Sequence, residues 1–233
     1  MASQDAIDTF ETGAVSGTWS VGEIDVGGDG SVVSTTSYEG TYCYKIVLDD
    51  AVVTTISDGW GARDTMYVGM FVWMNPSDWD SGSDCRLIQG TGGLVMLDCL
   101  EDSGVVKCRF NPVFGVTTAY DKTFVAAGWY HIKVMATRNG AYYLKVVPPN
   151  AKFGDERTVF SGADAGAGVS QLFGVAVGDC VAAGTKVNST IYYDNIEVWD
   201  GDPGTGASFQ SEIQRARTMN YRSVVGPGNV GGL

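Results

Sequence analysis

Trp129-Tyr130-His131-Ile132-Lys133-Val134-Met135-Ala136-Thr137, then Arg138-Asn139-Gly140, then Tyr142-Tyr143-Leu144-Lys145-Val146-Val147 is the stretch from which the fold class is read. Apolar residues recur at every second position on both sides of the break, the period of a strand and not of a helix. Asn-Gly between them readily takes positive φ and turns the chain back on itself. The expectation is a hairpin with strands at 130–137 and 142–147. Runs of the same kind recur at 17–21, 31–36, 42–48, 66–74, 86–89, 94–100, 105–110, 172–177 and 190–199, separated by clusters of Gly, Asp, Asn or Ser. Glu101-Asp102-Ser103-Gly104 reads as a second hairpin turn. Nothing before residue 200 sustains a 3.6-residue period. The chain is therefore expected to be all-β, an antiparallel sandwich of jelly-roll type.

Composition narrows the function classes. Of 233 residues 32 are glycine but only 6 proline, which argues against collagen or a proline-rich tract. The hydrophobic share of 44% against 18% charged suits a packed core. The formal charge of −12 leaves little material for the basic face that nucleic-acid binding needs. With a single histidine, His131, histidine-based metal sites and catalytic triads have almost nothing to start from. Five cysteines without a CxxC pair are read as free buried thiols. The opening Met1-Ala2-Ser3-Gln4-Asp5 shows neither a basic start nor an apolar run, so no secretory leader is expected. No window reaches the roughly 20 apolar residues of a membrane span, and no membrane partner is expected.

The Gly128-Trp129-Tyr130-His131 hairpin resembles that of laminin-G-like, concanavalin A-like lectin and glucanase domains. Tyr67-Val68-Gly69-Met70-Phe71-Val72-Trp73-Met74 looks like that family's core strand, and Ile191-Tyr192-Tyr193-Asp194-Asn195-Ile196-Glu197-Val198 like its closing strand. In this order the motifs cover roughly residues 8 to 200 and imply one jelly-roll domain at 1–200. The family includes lectins, glycanases and phage structural proteins, so the resemblance implies a fold more than an activity.

The resemblance also implies a structural calcium. Asp8-Thr9-Phe10-Glu11 near the start and Asp194 near the end are similar to the terminal pairing of jelly-roll carbohydrate-binding modules, with Glu11 and Asp194 as the metal ligands. Calcium takes several oxygens, and first and last strands often lie together. The alternative is that both are ordinary surface or turn carboxylates. Glu23-Ile24-Asp25 resembles the catalytic strand of laminarinase-type glucanases, but Gly28 stands where the acid/base glutamate belongs, so it is read as a polar strand edge. Gly201 to Ser208 nearly spells a phosphate-binding loop, with Ala207 in the lysine position and acidic residues around it, and is read as a decoy. His131 is left structural.

Two loops carry the better binding candidates, Asp58-Gly59-Trp60 and Asp78-Trp79-Asp80. Three readings stay open for Trp60 and Trp79: packing over the sandwich edge, anchoring a protein interface, or stacking on a sugar with the aspartates binding its hydroxyls. Trp73 and Trp129 fall within strand patterns and are expected in the core.

Residues 201–233 differ from the rest. Asp200 to Gly206 is linker-like, Ser208 to Thr218 allows one short helix, and the glycine-rich end cannot build a core of its own. This part is expected to be an extended arm that docks on a partner through Phe209, Ile213, Arg215, Arg217, Tyr221 and Arg222. The resulting expectation is a non-enzymatic structural component of a bacteriophage virion, a capsid decoration or a tail or fibre protein, made in the host cytoplasm. Its partners would be other virion proteins or copies of itself. A carbohydrate-binding module or lectin with a glycan ligand is the alternative, and a glycan hydrolase or lyase a distant third.

Overall fold

Fourteen strands among the described residues form two antiparallel sheets. The structure is a computed structural model that describes residues 4–16, 19, 30–48, 54–90, 96–111, 119–149, 151, 155–163, 172–180 and 189–204. The strands are β1 (Gln4–Asp8), β2 (Gly30–Val33), β3 (Cys43–Leu48), β4 (Thr54–Arg63), β5 (Thr65–Met74), β6 (Asp84–Gly90) and β7 (Met96–Asp102). They continue as β8 (Val105–Asn111), β9 (Asp121–Phe124), β10 (Gly128–Thr137), β11 (Ala141–Val147), β12 (Arg157–Ala163), β13 (Leu172–Asp179) and β14 (Ser189–Trp199). Sheet A has eight strands in the order β12-β11-β10-β5-β14-β3-β2, with β1 also pairing β14. Sheet B has six, in the order β4-β13-β6-β7-β8-β9. The all-β sandwich is thus the observed class. No helix among the described residues is long and apolar enough to cross a membrane.

The core is built by alternation. In β5 the residues Met66, Val68, Met70, Val72 and Met74 all point inward and are buried. Ile132, Val134 and Leu144 of the β10–β11 hairpin join them, and Leu87, Leu97, Cys99, Val106, Phe110 and Val177 face them from sheet B. Each such side chain contributes roughly 1.5–3 kcal/mol by leaving water. All five cysteines are free, and four of them are buried.

The turns form by the local chemistry read from the sequence. Ser103 and Gly104 both take positive φ (60° and 83°), a two-residue connection whose twist matches that of its strands. Asn139 takes φ 53°, and the Gly140 N–H donates to the Thr137 carbonyl at 2.9 Å.

Four strands were not expected. β1, β9 and the exposed edge strand β12 are short or polar. The more instructive case is β4: Asp58-Gly59-Trp60-Gly61 reads as a loop, yet pairs along β13, with Ser57 opposite Ala176 and Gly59 opposite Gly174. Ladder hydrogen bonds from a neighbour override weak strand propensity there. The candidate strand at 17–21 lies outside the described residues except for Trp19, which is buried in the core cluster.

Candidate functional site

β14 sets the geometry of the first site. Ile191 and Tyr193 face the core, and so do Ile196 and Val198, so the alternation slips by one residue between them. The slip is a bulge at Asn195, which takes φ 48°, and the register with β5 shifts at the same place. Asparagine tolerates this left-handed conformation better than most residues. As a result Asp194 and Glu197 both lie on the outer face of sheet A, and both are fully buried.

Asp194 is held by a loop. Its Oδ2 accepts the Tyr38 N–H at 2.7 Å and the Glu39 N–H at 3.1 Å, while its Oδ1 is buried without a hydrogen-bond partner. Burial pushes this carboxyl up to about 7, against the pull of its backbone hydrogen bonds and with help from the nearby charge of Glu11. Glu11 grips the far side of the same loop, its carboxylate accepting the Thr41 N–H and the Tyr42 N–H at 2.9–3.0 Å. Gly40 lies between the two grips with φ +66°, and a Cβ there would lie 2.4–2.5 Å from the Glu11 carboxyl atoms. Both carboxyl groups bear on the side chains around them. Cys43 beside them is pushed up to about 12, first by burial and then by Asp194.

The loop carries an aromatic side chain onto the sheet. Tyr38 stacks on Phe71 with ring centroids 3.7 Å apart and meets Trp129 edge-on at 5.9 Å. Trp129 meets Trp73 at 6.0 Å, and Phe71 stacks on His131 at 4.4 Å. Register places Trp129, Trp73 and Tyr192 in one row across β10, β5 and β14. This corrects the expectation that Trp73 and Trp129 are core residues. Odd-numbered residues of β5 and β10 face outward, and both tryptophans are partly exposed. Phe71 and His131 are on the same outer face but buried, His131 at 2% exposure. Aromatic rings held at such angles offer flat apolar faces with polar edges, suited to the C–H faces of a sugar or to a protein anchor.

The outer face of sheet B is built differently. Arg86, Asp98 and Arg109 lie side by side on β6, β7 and β8. Asp98 accepts Arg86 Nε at 2.6 Å and Arg109 Nη2 at 2.9 Å, and Asn111 Nδ2 reaches it at 3.4 Å. Arg86 also donates to Gln89 Oε1 at 2.9 Å, and the Arg109 guanidinium sits 4.9 Å from the centre of the Tyr120 ring. The hydrogen bond to Asp98 leads the causes that raise Arg109 above its ordinary value.

The residues expected to bind from the loops are placed less favourably. Trp79 follows a short 3-10 turn at Pro76–Asp78 and is buried at 6% exposure in the core cluster, so its ring packs over the sandwich edge instead of standing free for a ligand. Asp78 and Asp80 beside it are exposed. The backbone of Asp58 and Trp60 belongs to β4, while their side chains lie outside the described residues, as do Glu23, Asp25 and the arm residues Phe209, Ile213, Arg215, Arg217, Tyr221 and Arg222. Where the chain passes residue 200, Tyr143 Oη donates to Asp202 Oδ2 at 2.6 Å, tying the start of the expected arm to sheet A.

Solved structures match this architecture. The cellulose-induced protein Cip1 superposes with a TM-score of 0.56 at 17% identity, over 83% of this chain and 96% of that one. The globular domain of T. cruzi calreticulin gives 0.55 at 10% identity, over 96% and 100%. The binding domain of botulinum neurotoxin serotype D gives 0.56 at 9% identity, over 92% of this chain and 52% of that one, so this chain spans about half its length. The chain shares the all-β sandwich fold of these proteins. At these identities the likeness concerns fold alone. No protein-family model matches the sequence, and no curated protein matches it.

Glu11 and Asp194 do meet one loop, and Asp194 keeps a bare buried oxygen. Both features suit a hard cation. Among the described residues no group of three or more His, Cys, Asp or Glu side chains is clustered for a metal. Main-chain oxygens would have to complete any coordination shell.

Proposed function

We propose that this chain is a non-enzymatic recognition domain of a bacteriophage particle, a capsid decoration or tail or fibre component. In this reading it binds glycan on the aromatic row of sheet A. The observation that carries the reading is the partly exposed row Trp129, Trp73 and Tyr192, braced by Tyr38 from a loop that Glu11 and Asp194 hold in place. A braced row loses little freedom when a sugar ring lands on it, which is what gives a shallow site useful affinity. Its Lys45 neighbour, opposite Tyr192 on β3, supplies a polar donor beside the rings. A structural calcium between Glu11 and Asp194 would supply a positive charge that keeps the Asp194 carboxylate ionised and the loop rigid. The fold supports a lectin-like reading. The virion setting rests on the resemblance of the motifs to phage structural proteins and on the acidic composition, and the arm at 201–233 is its docking element.

Two experiments test this. On a broad glycan array the full-length protein binds in the micromolar to millimolar range, and Trp73→Ala and Trp129→Ala abolish the signal. Mass spectrometry of purified particles from a strain encoding the chain detects it as a stoichiometric component, and its absence there removes the virion setting. If wild-type protein binds no glycan but oligomerises through the tryptophans, the aromatic row is an interface and the glycan half of the reading fails.

A further inference from the structure

Strand β4 is an edge that the fold leaves open. It stands at one end of sheet B, and among the described residues only β13 pairs with it. It is ten residues long and holds neither proline nor lysine, the residues that often blunt an edge. The other edges are short or covered. β2 and β9 have four residues each, and β12 is tied across to β9 by the Arg157–Asp121 ion pair at 3.0 Å. From Thr54 to Gly59 β4 follows β13 residue for residue. It then bulges, so that residues 60–62 face Phe173 alone.

Its two glycines have no reason within the fold to be glycine. Gly40, Gly104 and Gly128 take positive φ, and a Cβ on Gly140 or Gly162 would strike Thr137 or Tyr142. Neither applies to Gly59 and Gly61. A Cβ on Gly59 would meet only the Phe173 carbonyl at 3.8 Å, and one on Gly61 nothing within 4 Å. Both glycines are exposed, and Phe173 beside them is 47% exposed. Glycine weakens a strand, and one that neither conformation nor packing requires marks the close approach of another backbone. An aromatic residue of an incoming strand can lie across such a glycine.

The chain itself holds a strand of matching character. Residues 205–233 lie outside the described residues; in sequence they carry three arginines against one glutamate, whereas residues 1–204 carry 12 Lys or Arg against 26 Asp or Glu. Tyr221-Arg222-Ser223-Val224-Val225 is the part of this arm richest in strand-forming residues. Antiparallel addition to β4 with Tyr221 opposite Gly59 sets Arg222 opposite Asp58, Val224 opposite Ile56 and Val225 opposite Thr55. Aromatic then meets glycine, charge meets opposite charge, and apolar meets apolar. The arm leaves its own sandwich on the far side from β4. Asp202 is held by Tyr143 of β11, next to β12, and β12 meets β9 through Arg157. β9 and β4 are the two ends of sheet B, separated by roughly 24 Å across five strand gaps.

From this we infer that β4 is the acceptor edge for the arm of a second copy of the chain, with residues 221–225 adding as a further strand of sheet B. Such a contact is head-to-tail, and it builds rings or filaments instead of closing as a twofold dimer. The inference rests on the reading of the arm as a docking element and is independent of glycan recognition.

Light scattering after size exclusion, run on full-length protein over a concentration series, tests it. Wild type is expected to associate as concentration rises. Gly59→Lys places a charge on the open edge where the fold has room for a side chain, and Arg222→Glu sets a like charge opposite Asp58. Each should weaken association about tenfold or more, and combining Arg222→Glu with Asp58→Lys should restore it. Wild type that stays monomeric overturns the inference and leaves the arm to a different protein. Association that Tyr221→Asp abolishes but Gly59→Lys leaves unchanged overturns β4 as the acceptor while the docking arm stands. Association that none of these variants changes overturns both. Where Gly59→Lys does not fold, hydrogen exchange of wild type replaces it. Amides at 54–59 and 221–225 gain protection together on association, and if those at 54–59 do not, β4 is refuted as the acceptor.

Discussion

Asp194 gives the sharpest prediction about stability. Its carboxyl is fully buried, accepts two backbone N–H groups on one oxygen and none on the other, and is pushed up to about 7 from an ordinary 3.8, mainly by burial. The folded protein therefore holds a proton there that the unfolded chain has already released above pH 4. A group raised in this way contributes stability that is complete below its unfolded value and is lost as pH rises through its folded value. The gap is about three pH units, and at about 1.4 kcal/mol per unit the loss approaches ~4 kcal/mol by pH 8.5. Asp194→Asn keeps an oxygen for the Tyr38 and Glu39 N–H groups and cannot ionise. Urea denaturation of both proteins in EDTA, from pH 5 to 8.5, should show wild type losing about 3 kcal/mol relative to Asp194→Asn, the part of the loss that falls between pH 5 and about 7. Millimolar calcium at pH 8.5 should restore wild type alone, because only its carboxylate offers a bare anionic oxygen. Parallel stability curves for the two proteins in EDTA would refute the argument, since they would mean that Asp194 does not titrate in this range.

Other consequences follow from the same packing. Gly40→Ala forces a left-handed alanine against the Glu11 carboxyl and should cost about 2–3 kcal/mol, combining about 1–2 for the backbone with a lost loop hydrogen bond. A loss below 0.5 kcal/mol in urea denaturation would show that Glu11 moves aside freely. Asp98→Ala leaves Arg86 and Arg109 facing each other without their shared carboxylate, which is 8% exposed in the fold, and should destabilise by about 2–3 kcal/mol. A smaller effect than 1 kcal/mol would mean the row is an ordinary surface ion pair. Thiol titration of native protein at pH 8 should label Cys180 first, because Cys43 and Cys108 are pushed up to about 12 by burial and Cys99 is fully buried. Early labelling of Cys99 or Cys108 would contradict the packing of sheet B.

Much of the candidate site was illegible from sequence for a definite reason. Arg86, Asp98, Arg109 and Asn111 are ordinary polar residues of three strands, and only strand register makes them neighbours. Trp73 and Trp129 were visible as residues but were assigned to the wrong side. The run Met66 to Met74 is apolar on both faces, so a period of two shows that two faces exist without showing which is inside. The signal that could have oriented it is the polar partner in the same row, Lys133 opposite Gly69 and His131 opposite Phe71. Of the three readings open for Trp79, the structure selects packing: its indole lies in the core cluster while the aspartates on either side stay exposed.

The sequence by itself determined what depends on near neighbours. Alternation set the strands of the β10–β11 hairpin and the all-β class, Asn139 set the turn of that hairpin and Ser103-Gly104 the turn between β7 and β8, and composition allowed an apolar core. The tertiary structure alone decided what depends on which strands meet. It made a strand of Asp58-Gly59-Trp60 by pairing it with β13, and turned Asp194 outward through the bulge at Asn195. It also gathered Arg86, Asp98 and Arg109 into one row. Local preferences act within a few residues. Cross-strand hydrogen bonds and burial act between residues far apart in the chain, and in this sandwich the candidate binding face is made by them.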